Sequence, residues 1–347
     1  AVINKNGLWI KDVINQETNI INSSKIDNNF LTNTFITTFD KDFELIIIND
    51  GSTDHTEKII NSYEDTRIKL FNNDSNMGIV FSLNKALSLS NGKYIARIDA
   101  DDVAHQNRLS LQLNYLKTNS LDICGSAISL FGSKEKLIMY PESIADVRFF
   151  SIFGSPVAHP TVFGYAHILK KYTYNNVAAE DYDLWLRMLI DGINIGNMPI
   201  SLLNYRVHDN QLTLDKSEII NSSISISKSY IKSYIDDEEI RRLLVQYECF
   251  MKGDFDRKGI YAFAKKICMF AKMNKVSTSI QSRAMSIIFA RANSYNLFTL
   301  VSYIKVLKII DSRILVNIDK KLAFLFIFSI KKNSKLVLLL SRILKNI

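Results

Sequence analysis

Cysteine, long apolar runs and net charge in the body of the chain are all scarce in these 347 residues, and each scarcity removes a class of protein. The three cysteines, Cys124, Cys249 and Cys268, lie far apart and lack metal-ligand spacing. That pattern excludes a disulfide-stapled scaffold and leaves buried, reduced thiols. No segment reaches the roughly 18 consecutive apolar residues of a spanning helix. The longest apolar stretches, Leu322 to Ile330 and Leu336 to Leu340, are short and flanked by lysines. The net charge of +8 is concentrated in residues 301–347, where ten Lys/Arg face two acids. Residues 1–300 are therefore close to neutral, and no nucleic-acid partner is expected. The N-terminus shows neither a secretory signal pattern nor an initiator Met, so a cytoplasmic location is expected. With 47% hydrophobic and 22% charged residues, the chain reads as globular and long enough for two domains.

What is present is an alternation of strands and helices. Glu44-Leu45-Ile46-Ile47-Ile48 is a continuous apolar run of the kind buried on both faces of a parallel sheet. Asp54 and Glu57 have the spacing of a capping box for a helix reaching about Tyr63. Arg67 to Phe71 reads as a second strand, and Ile79 to Leu89 as a helix after the loop Asn72–Gly78. A short strand, Lys93 to Arg97, leads into Asp99-Ala100-Asp101-Asp102. Leu109 to Leu116 reads as a helix, Ile123 to Leu130 and Ser201 to His208 as strands, and Glu180 to Leu189 as a helix with acids in its first turn. Such alternation indicates an open α/β sheet, in which ligands bind beyond the carboxyl ends of the strands. Beyond Thr213 the chain reads as amphipathic helices.

The Asp99 to Asp102 cluster carries the most chemistry. Strand alternation would send Asp99 and Asp101 to one side, where their charges repel unless a cation lies between them. A hard divalent ion suits such oxygens and keeps positions open for substrate phosphates. Taken alone, a short Asp run is more often a solvated loop. Glu180 and Asp181 stand at a helix start, in a field that favours ionised carboxylates.

Four segments occur together: Ile48-Asn49-Asp50-Gly51-Ser52-Thr53-Asp54, Arg97 to Asp102, Glu180-Asp181-Tyr182-Asp183-Leu184-Trp185, and Tyr205-Arg206-Val207-His208. In this order they closely resemble the glycosyltransferase family 2 enzymes of GT-A fold, over roughly Lys41 to Thr213. Asn76-x-Gly78 and Asn107-Arg108-Leu109 also fit the family pattern. The resemblance implies an open mixed, Rossmann-like sheet flanked by helices, with an α-helical C-terminal region. It implies inverting transfer of a sugar from a nucleoside-diphosphate donor, a UDP-sugar above all, to a glycan or lipid-linked acceptor in bacterial surface polysaccharide synthesis. Asp50, Ser52 and Asp99 would bind the nucleotide-sugar. Asp99, Asp101, Asp102 and His208 would hold Mn2+ or Mg2+. Asp181 would be the general base with Glu180 beside it, and Trp185 and His159 would lie on the acceptor side.

One departure stands out. Family members open with a strand of Val-Ile-Ile-Pro-x-Tyr-Asn type, and this chain has no such segment; Thr18 to Asn22 is the best candidate for a replacement. The expected division is therefore an atypical segment 1–40, a catalytic domain 41–214 and a helical region 215–347. The basic, apolar stretch 301–347 is expected to lie on an anionic membrane surface, or to form a helical subdomain with a solvated basic face. An impaired homologue that binds nucleotide or glycan without turnover is the alternative function.

Overall fold

The computed structural model describes residues 2–3, 43–207, 216–235, 238, 257–290 and 297–310. By its internal contacts the chain divides into one unit of Ala1–Val147 with Ser155–Ile219 and another of Arg148–Gly154 with Ile220–Ile347.

The first unit alternates strands and helices in the order β1 Val2–Ile3, β2 Leu45–Asn49, α1 Thr56–Asn61, β3 Ile68–Asn72, α2 Ile79–Leu89, β4 Tyr94–Ala96 and β5 Val103–Ala104. It continues with α3 Arg108–Thr118, β6 Ile123–Gly132, β7 Lys136–Ile138, α4 Ile144–Phe150, a 3-10 turn His159–Thr161, β8 Phe163–Tyr165, α5 Ala166–Lys171, α6 Glu180–Ile190 and β9 Ile195–Val207. Strands β1, β2 and β3 form a parallel sheet. A second, mixed sheet runs β4-β8-β6-β9-β5, with β6 and β9 parallel over most of their length and β7 beside β6.

Ile47 and Ile48 of β2 are buried, as a both-faces-covered strand requires. Helix α2 begins and ends where the periodicity places it. Three readings differ from the observed backbone. Asp54 and Glu57 do not form a capping box: Asp54 Oδ1 accepts from the Thr56 amide at 3.0 Å, while Glu57 is taken by Asn72 Nδ2 at 2.7 Å. The strand ahead of the Asp cluster joins the mixed sheet, pairing antiparallel with β8, and stops at Ala96. Asp99 to Asp102 is consequently a turn, closed by the Asp102 amide on the Asp99 carbonyl at 3.3 Å, so strand alternation does not set its side chains. Finally, among the described residues a strand Val2–Ile3 pairs in register with Ile48–Asn49; Thr18 to Asn22 lies outside the described residues.

The second unit is helical where it is described. Helix α7 (Lys216–Tyr234) spans the division between the units, and α8 (Arg257–Met273), α9 (Thr278–Phe289) and α10 (Leu297–Ile310) follow it. Ser277 caps α9, accepting the Ile280 amide, and Phe263, Ile267, Met285, Phe289 and Tyr303 are buried in this unit. No helix among the described residues is long and apolar enough to cross a membrane. Cys124 and Cys268 are buried and free, and Cys249 lies outside the described residues, as does the tail beyond Ile310.

Candidate active site

Strand β2 ends at Asn49, and the carboxylate of the next residue, Asp50, organises the neighbouring loop. Its Oδ1 accepts from Asn73 Nδ2 and the Met77 amide, both at 2.8 Å, and its Oδ2 from the Gly78 amide at 2.9 Å. Gly51 lets that loop approach: its φ is +76°, and a Cβ there would lie 2.8 Å from the Asn76 nitrogen. Asp50, expected to meet the nucleoside, thus has both oxygens engaged in shaping the loop that leads into α2. The Ser52 amide donates to Asn49 Oδ1 at 3.1 Å, which ties that residue to the same strand end.

The turn after β4 holds the acidic cluster. Arg97 clasps Asp99 through two contacts, Nη2 to Oδ1 at 2.5 Å and Nη1 to Oδ2 at 3.3 Å. The backbone of Arg97 is pinned in turn by buried Arg108 on α3, whose Nη2 donates to the Arg97 carbonyl at 2.6 Å and whose Nε donates to Gln112 at 2.9 Å. Burial lowers the Arg108 pKa to about 10, still well above neutrality. Strand β9 reaches the cluster from the other side: the Arg206 amide donates to Asp102 Oδ1, and Arg206 Nε to the Asp101 carbonyl, each at 2.9 Å.

Asp102 is fully buried, and its Oδ2 has no hydrogen-bond partner. Burial, then the charge of Asp99, push its pKa up to about 8. The orphaned oxygen feels the charges of two further carboxylates, Asp99 and Asp101, and Arg97 engages both oxygens of Asp99. Among the described residues, no three Asp, Glu, His or Cys side chains are grouped so that they could hold a metal ion. His208, expected as a further ligand, lies outside the described residues.

Helix α6 presents Glu180 and Asp181 in its first turn. Asp181 Oδ1 accepts from the Tyr182 amide at 2.7 Å, and Oδ2 from Ser155 Oγ at 3.2 Å. Burial raises the Asp181 pKa despite those bonds and the Arg97 charge. Desolvation thus acts on Asp181 against the field expected at the helix start. Glu180 is raised to about 6 by burial first and by the Asp181 charge second.

His159, on the 3-10 turn, pairs through Nε2 with the Tyr174 hydroxyl at 2.8 Å. Burial, then the Arg97 charge, hold its pKa well below the usual histidine range. Trp185, expected as an acceptor-side wall, is fully buried and stands edge-on to His159 at 5.9 Å. It supports that wall from behind and offers no face to a ligand.

Arg97 links these groups: its charge is felt by Asp99, Tyr174, Asp181 and Glu180. The Asp turn, the His159 turn, the Tyr174 segment and α6 therefore converge, and Arg206 binds β9 to the same place. Ser155 and Tyr174 lie outside the four motif segments, and Arg97 and Arg206 lie inside them without an expected role. The one sequence signal for Arg97 is a cation two residues before an acidic cluster.

The glycosyl transferase family 2 model matches residues 28–176. The chain is 37% identical over 178 residues to the O-antigen biosynthesis glycosyltransferase WbnJ of Escherichia coli, covering 48% of this chain and 69% of that protein. It is 31% identical to the uncharacterized glycosyltransferase MJ1057 of Methanocaldococcus jannaschii, covering 52% of this chain and 67% of that one. A 29% match to the bifunctional glycosyltransferase pgtA of Dictyostelium discoideum covers 69% of this chain but only 37% of that longer protein. The solved structure of Staphylococcus aureus TarS 1–349 in complex with UDP-GlcNAc is similar at 13% identity with a TM-score of 0.48, over 78% of this chain and 82% of that one. On the identity and coverage of the sequence relatives, the chain belongs to glycosyltransferase family 2, with its α/β sheets and flanking helices as the GT-A fold of that family.

Proposed function

We propose that the first unit transfers a sugar, with inversion, from a nucleoside-diphosphate donor to a hydroxyl of a glycan or lipid-linked acceptor in bacterial surface polysaccharide synthesis. The single observation that carries this reading is the convergence, around Arg97, of an acidic turn with an orphaned buried oxygen and a carboxylate pair on α6. Relatives include an O-antigen biosynthesis glycosyltransferase and a UDP-Glc:GlcNAc-diphosphoundecaprenol glucosyltransferase of Escherichia coli, which supports the acceptor class.

Asp99, Asp101 and Asp102 would hold a divalent cation, Mn2+ or Mg2+, which when bound offsets negative charge developing on a leaving diphosphate. Asp181 takes the proton of the acceptor hydroxyl, a role that requires the ionised carboxylate and a fixed orientation. Ser155 and the Tyr182 amide supply that orientation by holding one oxygen each. Inversion needs a base on the face opposite the leaving group and no covalent sugar intermediate, by the same logic as inverting glycoside hydrolysis. The neutral pair His159–Tyr174 suits hydrogen bonding to sugar hydroxyls without competing for the proton. The Asp50-ordered loop lies at a strand end, where nucleotides bind in open α/β sheets.

Calorimetric titration of UDP with and without Mn2+, using wild type and Asp101→Ala, tests the donor half. Metal-dependent binding lost in the variant supports the reading; metal-independent binding of equal strength in both contradicts it. A module that binds nucleotide without turnover is the second reading, favoured by the fully engaged Asp50 carboxylate. Metal-dependent UDP binding combined with no turnover of any donor would select it. The basic stretch 301–347 is proposed to attach the protein to an anionic membrane surface. Equal flotation with anionic liposomes of the full chain and a truncation near Val301 would remove that part.

A further inference from the structure

We propose that the water-facing side of helix α8, with Lys265, Met269, Lys272 and Met273, together with Lys275 in the turn that follows, is a docking surface for an anionic phospholipid membrane. The partner is of the class proposed above for residues 301–347, but the surface is a separate one. It stands apart from both that stretch and the transferase reading.

Residues 257–310 hold ten Lys and Arg and no Asp or Glu, so this stretch alone carries more positive charge than the chain's net +8. Without acids of its own it cannot neutralise itself through internal ion pairs, and its field attracts anionic partners. Helix α8 sorts its share of these residues onto two faces. Ile260, Phe263, Ala264, Ile267, Cys268 and Ala271 are buried, on the side that packs against α9 and α10. Lys265, Met269, Lys272 and Met273 recur at three- and four-residue spacing on the opposite, exposed side. Met269 is 52% exposed and Met273 81% exposed, although each is a large apolar side chain. Lys265, Lys272 and Lys275 enter no ion pair within 4 Å among the described residues.

The turn after α8 supplies a second observation. Lys275 has a φ of +56°, in the left-handed region that favours glycine. Its amide donates to the Lys272 carbonyl and the Val276 amide to the Ala271 carbonyl, each at 3.0 Å, which closes the helix in a Schellman motif. Glycine would close the same motif without the steric cost, so the fold itself does not call for a lysine there. What the lysine adds is a third cation at the end of the exposed face. Cations near a helix C-terminus also offset its dipole, but that effect fades within the last turn and does not reach Lys265. Nor does it account for two methionines one turn apart among the lysines. This mixture selects the partner. Nucleic acid would satisfy the lysines and leave the methionines in water. The headgroup layer of an anionic bilayer satisfies both, with ammonium groups at the phosphates and the methionines and lysine stems at the acyl boundary.

The test uses the full chain and vesicles of equal parts phosphatidylglycerol and phosphatidylcholine, with pure phosphatidylcholine as the uncharged control. Wild type is expected to bind the anionic vesicles alone, and less tightly as salt rises. Lys265→Gln combined with Lys272→Gln is expected to weaken binding about fivefold for each lysine. Met269→Ser combined with Met273→Ser is expected to weaken it severalfold at unchanged charge. Lys275→Gly is expected to bind more weakly yet to unfold at higher urea, a pairing that a purely structural lysine would not produce. In wild type, peroxide oxidation of Met269 and Met273, followed by mass spectrometry, is expected to slow severalfold when anionic vesicles are added, a readout that needs no variant. Residues 301–347 are intact in every protein, so equal binding by wild type and the double lysine variant would assign attachment to that stretch and overturn the proposal. A loss in the lysine variant with none in the methionine variant would make the face a general polyanion site, nucleic acid included, and overturn it too. Wild type that binds no anionic vesicle, or binds one without protecting its methionines, contradicts it directly. No arm reads sugar transfer, so failure of the transferase reading leaves every one of these outcomes unchanged.

Discussion

Replacing Asp102 by Asn isolates the free energy of keeping a carboxylate in the least hydrated part of the site. Burial and the charge of Asp99 lift its pKa from 3.8 to about 8, with the Arg206 amide pulling the other way. The folded state therefore holds the proton more tightly than the unfolded chain. The resulting stability is fully present below the unfolded value and is lost as pH rises through the folded one. Each unit in that window is worth about 1.4 kcal/mol, so between pH 5 and pH 8 the wild type loses about 4 kcal/mol that Asp102→Asn, having no proton to release, keeps. The substitution is nearly isosteric, and its Oδ1 can still accept the Arg206 amide that now binds Asp102 at 2.9 Å. Urea unfolding at several pH values in excess chelator reads this directly as a change in midpoint at constant slope. A gap between the two proteins that widens with pH, in favour of Asn, is expected. A gap that stays level from pH 5 to pH 8 refutes the reasoning, because it means the carboxylate is hydrated or already ionised.

Three further outcomes follow from the geometry. Gly51→Ala forces a side chain onto a φ of +76° and against the Asn76 nitrogen; a loss of about 1–3 kcal/mol in urea unfolding is expected. Arg108→Met strips donors from Gln112 and the Arg97 carbonyl in a buried setting; a loss of about 3 kcal/mol is expected in the same assay, with a level result showing that water replaces the guanidinium. Glu180→Gln removes the like charge beside Asp181; the acid limb of the kcat profile is expected to move to lower pH, and an upward move would reverse the assigned roles.

Local patterns that a single segment decides were legible in the sequence. The apolar run at Ile46 to Ile48 became β2, and the stripe from Ile79 became α2, because burial on both faces and a 3.6-residue period each leave few alternatives. The acidic cluster and the Glu180-Asp181 pair were also visible, since chemistry-bearing residues announce themselves by type. Less was visible where a distant partner decides. Glu57 was drawn from its capping box by Asn72, and the strand before Asp99 paired with β8, choices made by residues far along the chain. Trp185 illustrates the same limit: its aromatic face read as a ligand wall, yet packing behind His159 buried it completely. The roles of Arg97 and Ser155 depend on converging elements 26 or more residues apart, as in the Ser155–Asp181 hydrogen bond, and no spacing rule encodes them.

The most direct test of the central claim is nucleotide release from a panel of nucleoside-diphosphate sugars, with Mn2+ or Mg2+, by wild type and Asp181→Asn. Wild type is expected to turn over at least one donor. Asp181→Asn is expected to lose about 100- to 10,000-fold in kcat, the usual share of a positioned base, while binding UDP as wild type does. Equal turnover by both proteins, or none by wild type against any donor, would contradict it.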